Sequence, residues 1–384
     1  MEEPSSRAAQ LPASKGPREL RKEVLDAGLC TVCGMCLRLC PYLDEMGGHV
    51  AFLSDCTASQ GRCYAVCPRT DTDLDGLRRL FLPSVPVDYV LGPHQTIWIS
   101  RARKASLRKR GQYGATVTAL ALFGLETGRS DAALLTDWSS DPGEPALPRP
   151  TIARSAREVL DAAGSKYTAC PTLKLIDQAV REEARKLFVV GRPCQILALR
   201  KRTTVEDPTF PGERIALVVG LFCMWSVSYR AFRRLLEPLL KGKLPKRIDI
   251  PKGRFLVNDG EATHELPHES LRSLARDACR TCYDFTAELA DVSVGSTEWK
   301  DDWNTLIVRN ESGRAFVEAA VAEGWIQVKP MPPERIQLLR EAAFNKKKRT
   351  LEALRRVADQ EPYLNLASAE WDFFKQECPP THDG

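Results

Sequence analysis

The chain has 384 residues, is 43% hydrophobic and 27% charged, and carries a formal net charge of +5. That length allows two or three domains and a sizeable core, and the composition is that of an ordinary folded protein, not a fibrous or disordered one. The mild, dispersed positive charge gives no ground for nucleic-acid binding. No apolar run approaches the ~18 residues of a membrane span. The 13 cysteines come without a secretion signal, so they read as thiols kept for metal in a reducing cytoplasm.

Residues 1–20 are polar and rich in Pro and Ser and read as a disordered tail. Residues 21–85 read as a small domain stabilised by bound metal more than by a core. Its first cysteine run is Cys30-Thr-Val-Cys33-Gly-Met-Cys36-Leu-Arg-Leu-Cys40-Pro41. This spacing is that of bacterial ferredoxins, in which three cysteines hold one iron–sulfur cluster and the fourth crosses to another. Soft thiolates suit that iron. A C-x2-C pair alone would equally suit structural zinc, but four cysteines at these intervals followed by Pro favour clusters.

The second run keeps only the end of the pattern, Cys63-Tyr-Ala-Val-Cys67-Pro68, preceded by Cys56. By the crossed-ligand rule one cluster takes Cys30, Cys33, Cys36 and Cys67. The other takes Cys40, Cys56 and Cys63, which leaves it one ligand short. Either it is a [3Fe-4S] cluster, or its fourth iron takes Ser59, Asp55, water or a distant cysteine, or it is absent; two clusters is the favoured reading.

Residues 86–97 read as a linker. The basic segment Arg101–Arg110 leads into Gly111-Gln-Tyr-Gly114-Ala-Thr116-Val-Thr118, which opens an apolar helix reaching Glu126. A glycine loop entering a helix can hold phosphate on free N–H groups, although a plain turn is the commoner meaning. Strands are expected at 132–136, 187–190 and 215–222, and helices at 155–163, 173–185, 196–201 and 229–240. The Pro-rich stretch 142–150 reads as a surface loop. Alternation of strand and helix indicates an α/β fold, whose ligand site lies beyond the carboxyl ends of its strands. Cys194 and Cys223 both fall at such ends; they are either core thiols or, with Cys279 and Cys282, four ligands of one centre. A small extra sheet is expected at 248–250 and 254–257, strands at 290–294, 305–309 and 325–328, and helices at 314–322 and 333–358. The Lys346-Lys-Lys-Arg349 run reads as a solvated face. The segment with Trp371, Phe373 and Phe374 reads as a C-terminal tail that packs on the core or a partner.

A set of motifs occurs in fixed order: Gly164-Ser-Lys166-Tyr167-Thr168-Ala-Cys-Pro171, Gly191-Arg-Pro-Cys194, Gly220-Leu-Phe-Cys223, Lys252-Gly-Arg-Phe255, Cys279-Arg-Thr-Cys282-Tyr-Asp284, Glu288–Ser296 and Trp303–Arg309. Over about 100–355 this set resembles the family formed by the beta subunits of coenzyme F420 hydrogenase and F420H2 dehydrogenase. The N-terminal ferredoxin-type runs are similar to those of the dehydrogenase branch. The resemblance implies an α/β core flavin-binding domain at 98–345, behind a small ferredoxin-like (α+β) iron–sulfur domain, with residues 346–384 as a basic helix and tail.

The resemblance also implies FAD, with Gly114, Thr116, Thr118, Lys166, Tyr167, Thr168, Ser293, Gly295 and Ser296 at its site. It implies a [4Fe-4S] cluster on Cys194, Cys223, Cys279 and Cys282, making two or three clusters in all. The chain departs from the family at Tyr113-Gly114, where two glycines are usual, and at Ser296–Asp302, where a glycine-rich loop is usual. The expected activity is a cytoplasmic flavoprotein oxidoreductase that passes electrons between coenzyme F420, or a similar soluble carrier, and a redox partner of ferredoxin, hydrogenase or reductase type. No catalytic acid or base is recognisable. A reductase of an organic substrate, like 7-hydroxymethyl chlorophyll a reductase, and a pure electron-transfer subunit are the alternatives.

Overall fold

The computed structural model describes residues 15–139, 147–207, 210, 212–243, 245–251, 253–296, 300–356 and 363–376. In chain order the elements are α1 (Pro17–Leu20), β1 (Leu43–Met46), β2 (His49–Phe52), α2 (Arg62–Ala65), β3 (Thr72–Asp73), α3 (Leu74–Phe81), β4 (Thr96–Ala102), α4 (Ala105–Arg110), α5 (Thr116–Glu126), β5 (Ala132–Trp138) and β6 (Pro148–Ala153). Then come α6 (Ala156–Asp161), α7 (Ile176–Arg181), β7 (Leu187–Gly191), α8 (Pro193–Thr204), β8 (Ile215–Leu221), α9 (Tyr229–Leu240), β9 (Arg247–Asp249), β10 (Arg254–Asn258), β11 (Thr263–Pro267) and α10 (His268–Arg272). The chain ends through β12 (Val292–Ser296), β13 (Asn304–Val308), α11 (Glu311–Ala322), β14 (Ile326–Pro330), α12 (Pro333–Arg356), β15 (Leu364–Asn365) and α13 (Ser368–Gln376).

The centre is an eight-stranded sheet in the order β14-β4-β13-β12-β8-β7-β5-β6. Its middle strands, β12, β8, β7 and β5, are parallel, and the outer pairings are antiparallel. Alternate residues serve opposite faces, as the period of a strand requires. Leu134, Val189 and Val218 meet α8 and the N-terminal unit, whereas Leu135, Phe188, Leu217 and Val219 meet α5 and α11. The fold is thus mixed α/β around one multi-stranded sheet, and a separate antiparallel sheet, β11-β10-β9, packs with α9.

Several sequence expectations are corrected. Lys15–Leu20 are built into the fold: Leu20 is buried, and Lys15 pairs with Glu23 and Asp71. Residues 1–14 and 377–384 lie outside the described residues. The 86–97 stretch is no free linker, because Leu91 is fully buried and its carbonyl accepts from Thr286 Oγ1 and Arg309 Nη1. The expected loop at 142–150 gives way to β6 from Pro148; residues 140–146 are outside the described residues. Two prolines are tolerated there because β6 is an edge strand. Helix α5 is buried on nearly all sides, so its sequence shows no polar face. The expected 173–185 helix stops at Arg181, where Glu183 turns at φ +64°. Strand β11 has no counterpart among the expected strands, because its exposure alternates in a polar segment.

The Lys346–Arg349 run is the largest correction. Lys346 and Lys347 are 1% and 0% exposed, inside α12, so they face the core and not solvent. A boundary at 345/346 would also cut that helix. The C-terminal segment is ordered as β15, which pairs with β3, and as α13, whose Phe374 is buried against Tyr283 and Phe344. Among the described residues no helix is long and apolar enough to cross a membrane.

Candidate electron-transfer site

Register places the first two core cysteines. Gly191 at the end of β7 pairs with Gly220 in β8. Cys194 and Cys223 each follow their glycine by three residues, so both thiols emerge at the same carboxyl edge of the sheet. Cys194 lies in the first turn of α8, and Cys223 follows β8 with its N–H donating to Phe285 O at 2.9 Å. The turn at Asp277–Cys279 supplies Cys279, and Cys282 follows. All four line one pocket, together with Arg69, Arg192, Arg276 and Lys346. The structure therefore brings together four thiols that are separated in sequence.

The electrostatics of this cavity pull in opposite directions. Burial pushes Cys223 up to about 12, with Cys279 and Cys282 adding to it while Lys346 and Arg192 oppose. Burial also pushes on Cys282, but the Lys346 and Arg69 cations hold it below the ordinary thiol value. Lys346 Nζ donates to Cys223 O at 2.6 Å and to Asp284 O at 2.7 Å, and lies 3.6 Å from Cys282 Sγ. Arg69 Nε, Arg192 Nη2 and Arg276 Nε are buried with no hydrogen-bond partner. Three orphaned donors around four thiols leave room and charge for an anionic group. The donor set fits a thiolate-held iron–sulfur cluster, whose sulfurs accept such hydrogen bonds.

The N-terminal cysteines gather as two sets. Burial raises Cys36 well above its ordinary value, and Cys33, Cys30, Cys67 and Cys63 reinforce it. Cys67 is pushed up to about 12 by burial, with Cys30 contributing. Burial pushes Cys63 up to about 11, and its neighbouring thiols are Cys40 and Cys56. The sets also touch one another electrostatically: Cys194 acts on both Cys30 and Cys33, and Cys63 acts on Cys36. All twelve described cysteines are free thiols. Among the described residues no three His, Cys, Asp or Glu side chains converge as a single metal ion would need. Cluster thiolates instead bind separate irons. Of the candidates for a further ligand, Ser59 is exposed and Asp55 pairs with Arg21 at 3.0 Å.

The two units meet at Gly34, with φ +91° and an absent Cβ that would stand 2.5 Å from Pro171 O and 2.8 Å from Lys174 N. Leu173 N–H donates to Cys33 O at 3.2 Å beside it. Gly34→Ala is expected to cost about 3 kcal/mol and to push the Cys33–Cys36 loop off the core. Hydrogen exchange of Leu173 and iron retention against wild type would show it.

The expected flavin residues fall into two groups. Gly114 sits between left-handed Tyr113 and Ala115, and a Cβ there would stand 2.7 Å from Ser100 O and 2.8 Å from Asn304 Oδ1. Thr116 bonds Ser100 through its hydroxyl and donates its N–H to Asn304 Oδ1. Asn304 Nδ2 in turn donates to Gly295 O, and Ser296 pairs with Asn304 across β12 and β13. Asn304 thus joins Gly114, Thr116, Gly295 and Ser296. Thr118 is buried in the first turn of α5.

The second group is Lys166, Tyr167 and Thr168. Lys166 Nζ donates to Ala162 O and Ala163 O, and burial pushes it down to about 8. Tyr167 is raised by burial, with Tyr113 and Asp249 adding, which places it beside the Gly114 loop. Thr168 Oγ1 is buried without a partner. The glycine at 114 is thus required by the chain's own packing, and the orphaned Thr168 hydroxyl is the feature of these groups that fits a bound cofactor. Ser293 stands apart: its hydroxyl donates to Ala287 O and accepts from Arg309 Nε at 2.7 Å, inside the core. Gly295 owes its size to Phe222, 2.0 Å from where a Cβ would lie. Lys252 and Thr297–Trp299, the latter within the loop that departs from the family's glycine-rich one, lie outside the described residues.

Sequence reasoning missed Asn304, Arg69, Arg192, Arg276 and Lys346. A signal exists for four of them, since Arg69, Arg192 and Arg276 adjoin cysteine motifs and Asn304 lies inside the Trp303–Arg309 motif. Lys346 has none beyond a charge run that usually means solvent.

Comparison with known proteins supplies the affiliation. Residues 97–177 match the family model for the N-terminal part of coenzyme F420 hydrogenase/dehydrogenase beta subunits, and residues 184–334 match the model for their C-terminal part. The beta subunit of coenzyme F420 hydrogenase from Methanothermobacter thermautotrophicus is 34% identical, over 63% of this chain and 86% of the relative. A component of the F420H2 dehydrogenase of Methanosarcina mazei is 26% identical, over 81% of this chain and 87% of the relative. A chain in the solved F420-reducing [NiFe] hydrogenase complex of Methanosarcina barkeri superposes with a TM-score of 0.65 at 28% identity, covering 71% of this chain and 94% of that one. On these matches, the chain belongs to the family of coenzyme F420 hydrogenase/dehydrogenase beta subunits.

Proposed function

We propose that this chain is an oxidoreductase subunit that passes electrons between coenzyme F420, or a similar two-electron carrier, and a one-electron redox partner. The observation that carries this reading is the cavity where Cys194, Cys223, Cys279 and Cys282 meet three arginines with unpartnered nitrogens. When bound, FAD would exchange hydride with the carrier and single electrons with iron–sulfur clusters.

The chain's own residues divide that work. The Gly114–Thr118 turn and Lys166–Thr168 border the FAD position, Gly295 and Ser296 close it through Asn304, and Ser293 supports the strand from within. Cys194, Cys223, Cys279 and Cys282 hold one [4Fe-4S] cluster. Cys30, Cys33, Cys36 and Cys67 hold a second, and Cys40, Cys56 and Cys63 hold a third that is open to being [3Fe-4S]. The proposed order runs from the core, through Cys194 and Cys30, to Cys36 and Cys63, and the electrostatic contacts between those thiols support it. The hairpin β1–β2 exposes Met46 and, at its base, Tyr42 and Leu53, which suits the approach of a partner protein. The proposed setting is cytoplasmic.

Anaerobic purification with iron, sulfide and flavin analysis tests the reading. About eleven or twelve irons per chain with one FAD are expected from three clusters. Protein that binds neither flavin nor iron would sink it.

A further inference from the structure

The N-terminal unit and the core hold each other by an exchange of buried cations. From the core, Lys201 Nζ lies within hydrogen-bond reach of Cys67 O at 2.7 Å, Asp71 O at 2.8 Å, Thr70 Oγ1 at 3.0 Å, Thr72 Oγ1 at 3.1 Å and Thr70 O at 3.3 Å. Arg276 donates to Cys30 O at 3.1 Å and Gly48 O at 3.2 Å. In return, Arg69 reaches Ala278 O at 2.8 Å and Thr281 O at 3.1 Å, in the loop of Cys279 and Cys282. Each unit therefore sends a cation into the other's cysteine loop.

Lys201 is the most informative of these. It is 7% exposed and lies on α8, the helix whose first turn carries Cys194. Seven residues separate the two, about two helical turns or roughly 10 Å. One rigid element thus carries a core ligand at one end and grips the Cys67 loop further along. Five oxygens surround an ammonium that has three protons, so its charge is spread over the loop that follows Cys67. Among the described residues it forms no ion pair with a carboxylate, so this charge is not neutralised by direct contact.

We infer that Lys201 is a positioning residue that fixes the Cys67 loop against the Cys194 helix and sets the reduction potential of the group held by Cys30, Cys33, Cys36 and Cys67. The inference rests on the cluster reading above. A buried cation favours the more negative, reduced state of a neighbouring centre, so its removal lowers the potential.

The test compares wild type with Lys201→Gln, which keeps hydrogen-bond donors but not the charge, and with Lys201→Arg, which keeps the charge. Each is titrated anaerobically and followed by EPR. At the wild-type midpoint, the reduced-to-oxidised ratio of the N-terminal signal should fall about tenfold in Lys201→Gln, with the core signal far less affected, and should recover in Lys201→Arg. Selective loss of N-terminal iron in Lys201→Gln, with core iron and FAD retained and Lys201→Arg normal, also supports the inference. An unchanged potential, equal shifts in both signals, or loss of iron from both units overturns it. Wild-type protein with only about four irons would instead remove the N-terminal cluster reading itself.

Discussion

Arg78→Met should lower the stability of the folded chain by about 3–5 kcal/mol, the usual result of removing one partner from a buried ionic network. Arg78 is 2% exposed and meets Glu288 at 2.7 Å and Glu370 at 2.6 Å. Tyr283 donates to Glu370 at 2.6 Å, and Lys347 pairs with Glu288. The network joins α3, the Cys282–Glu288 loop, α12 and α13. Without Arg78, Glu370 keeps only the Tyr283 hydroxyl as a side-chain partner among the described residues. Denaturant titration should show the loss, and hydrogen exchange should show α13 opening first. Adding Glu370→Gln to Arg78→Met should recover part of the loss, because the orphaned charge is then removed. A loss below about 1 kcal/mol would mean that water or rearrangement satisfies the carboxylates.

Cys223→Ala should remove about four irons per chain while leaving FAD and the N-terminal iron in place. On the proposed order, reduced carrier should still bleach the flavin in this variant, but reduction of the N-terminal centres should slow by at least about a hundredfold, because that order passes through the group on Cys223. Stopped-flow absorbance separates the two steps. Iron unchanged from wild type would show that Cys223 is an ordinary buried thiol.

Cys30 to Cys40 and Cys279 to Cys282 could be grouped from the sequence because each set lies in one short segment. Strand ends at Cys194 and Cys223 were legible too, since apolar runs bounded by glycine mark parallel strands. Their convergence was one of two open readings of the residues, and the register of Gly191 with Gly220 is what brings those thiols to one edge. Lys346, Lys347, Arg78 and Lys201 defeat a reading of the sequence for a common reason. Sequence patterns assign charge to solvent, and they carry no information about carbonyls or carboxylates contributed by residues far away along the chain. Strand β6 escapes such a reading because proline is a poor strand former except at an edge, and edge position is a property of the whole sheet.

The pairing of β3 with β15 has a consequence for how the protein is made. Thr72 and Leu364 are joined in a parallel bridge, and Arg78 and Glu370 lie 292 residues apart. Contacts of such separation form late, because the entropy of closing the loop must be met first. The cysteine-rich unit is therefore made well before its strand partner in β15 and its counter-charge at Glu370. The thiols of that unit wait for their final cover while the chain between Arg78 and Glu370 is made. On the proposed cluster reading, loading has this interval in which to reach them, and a chain cut short before β15 would leave them exposed to oxidation.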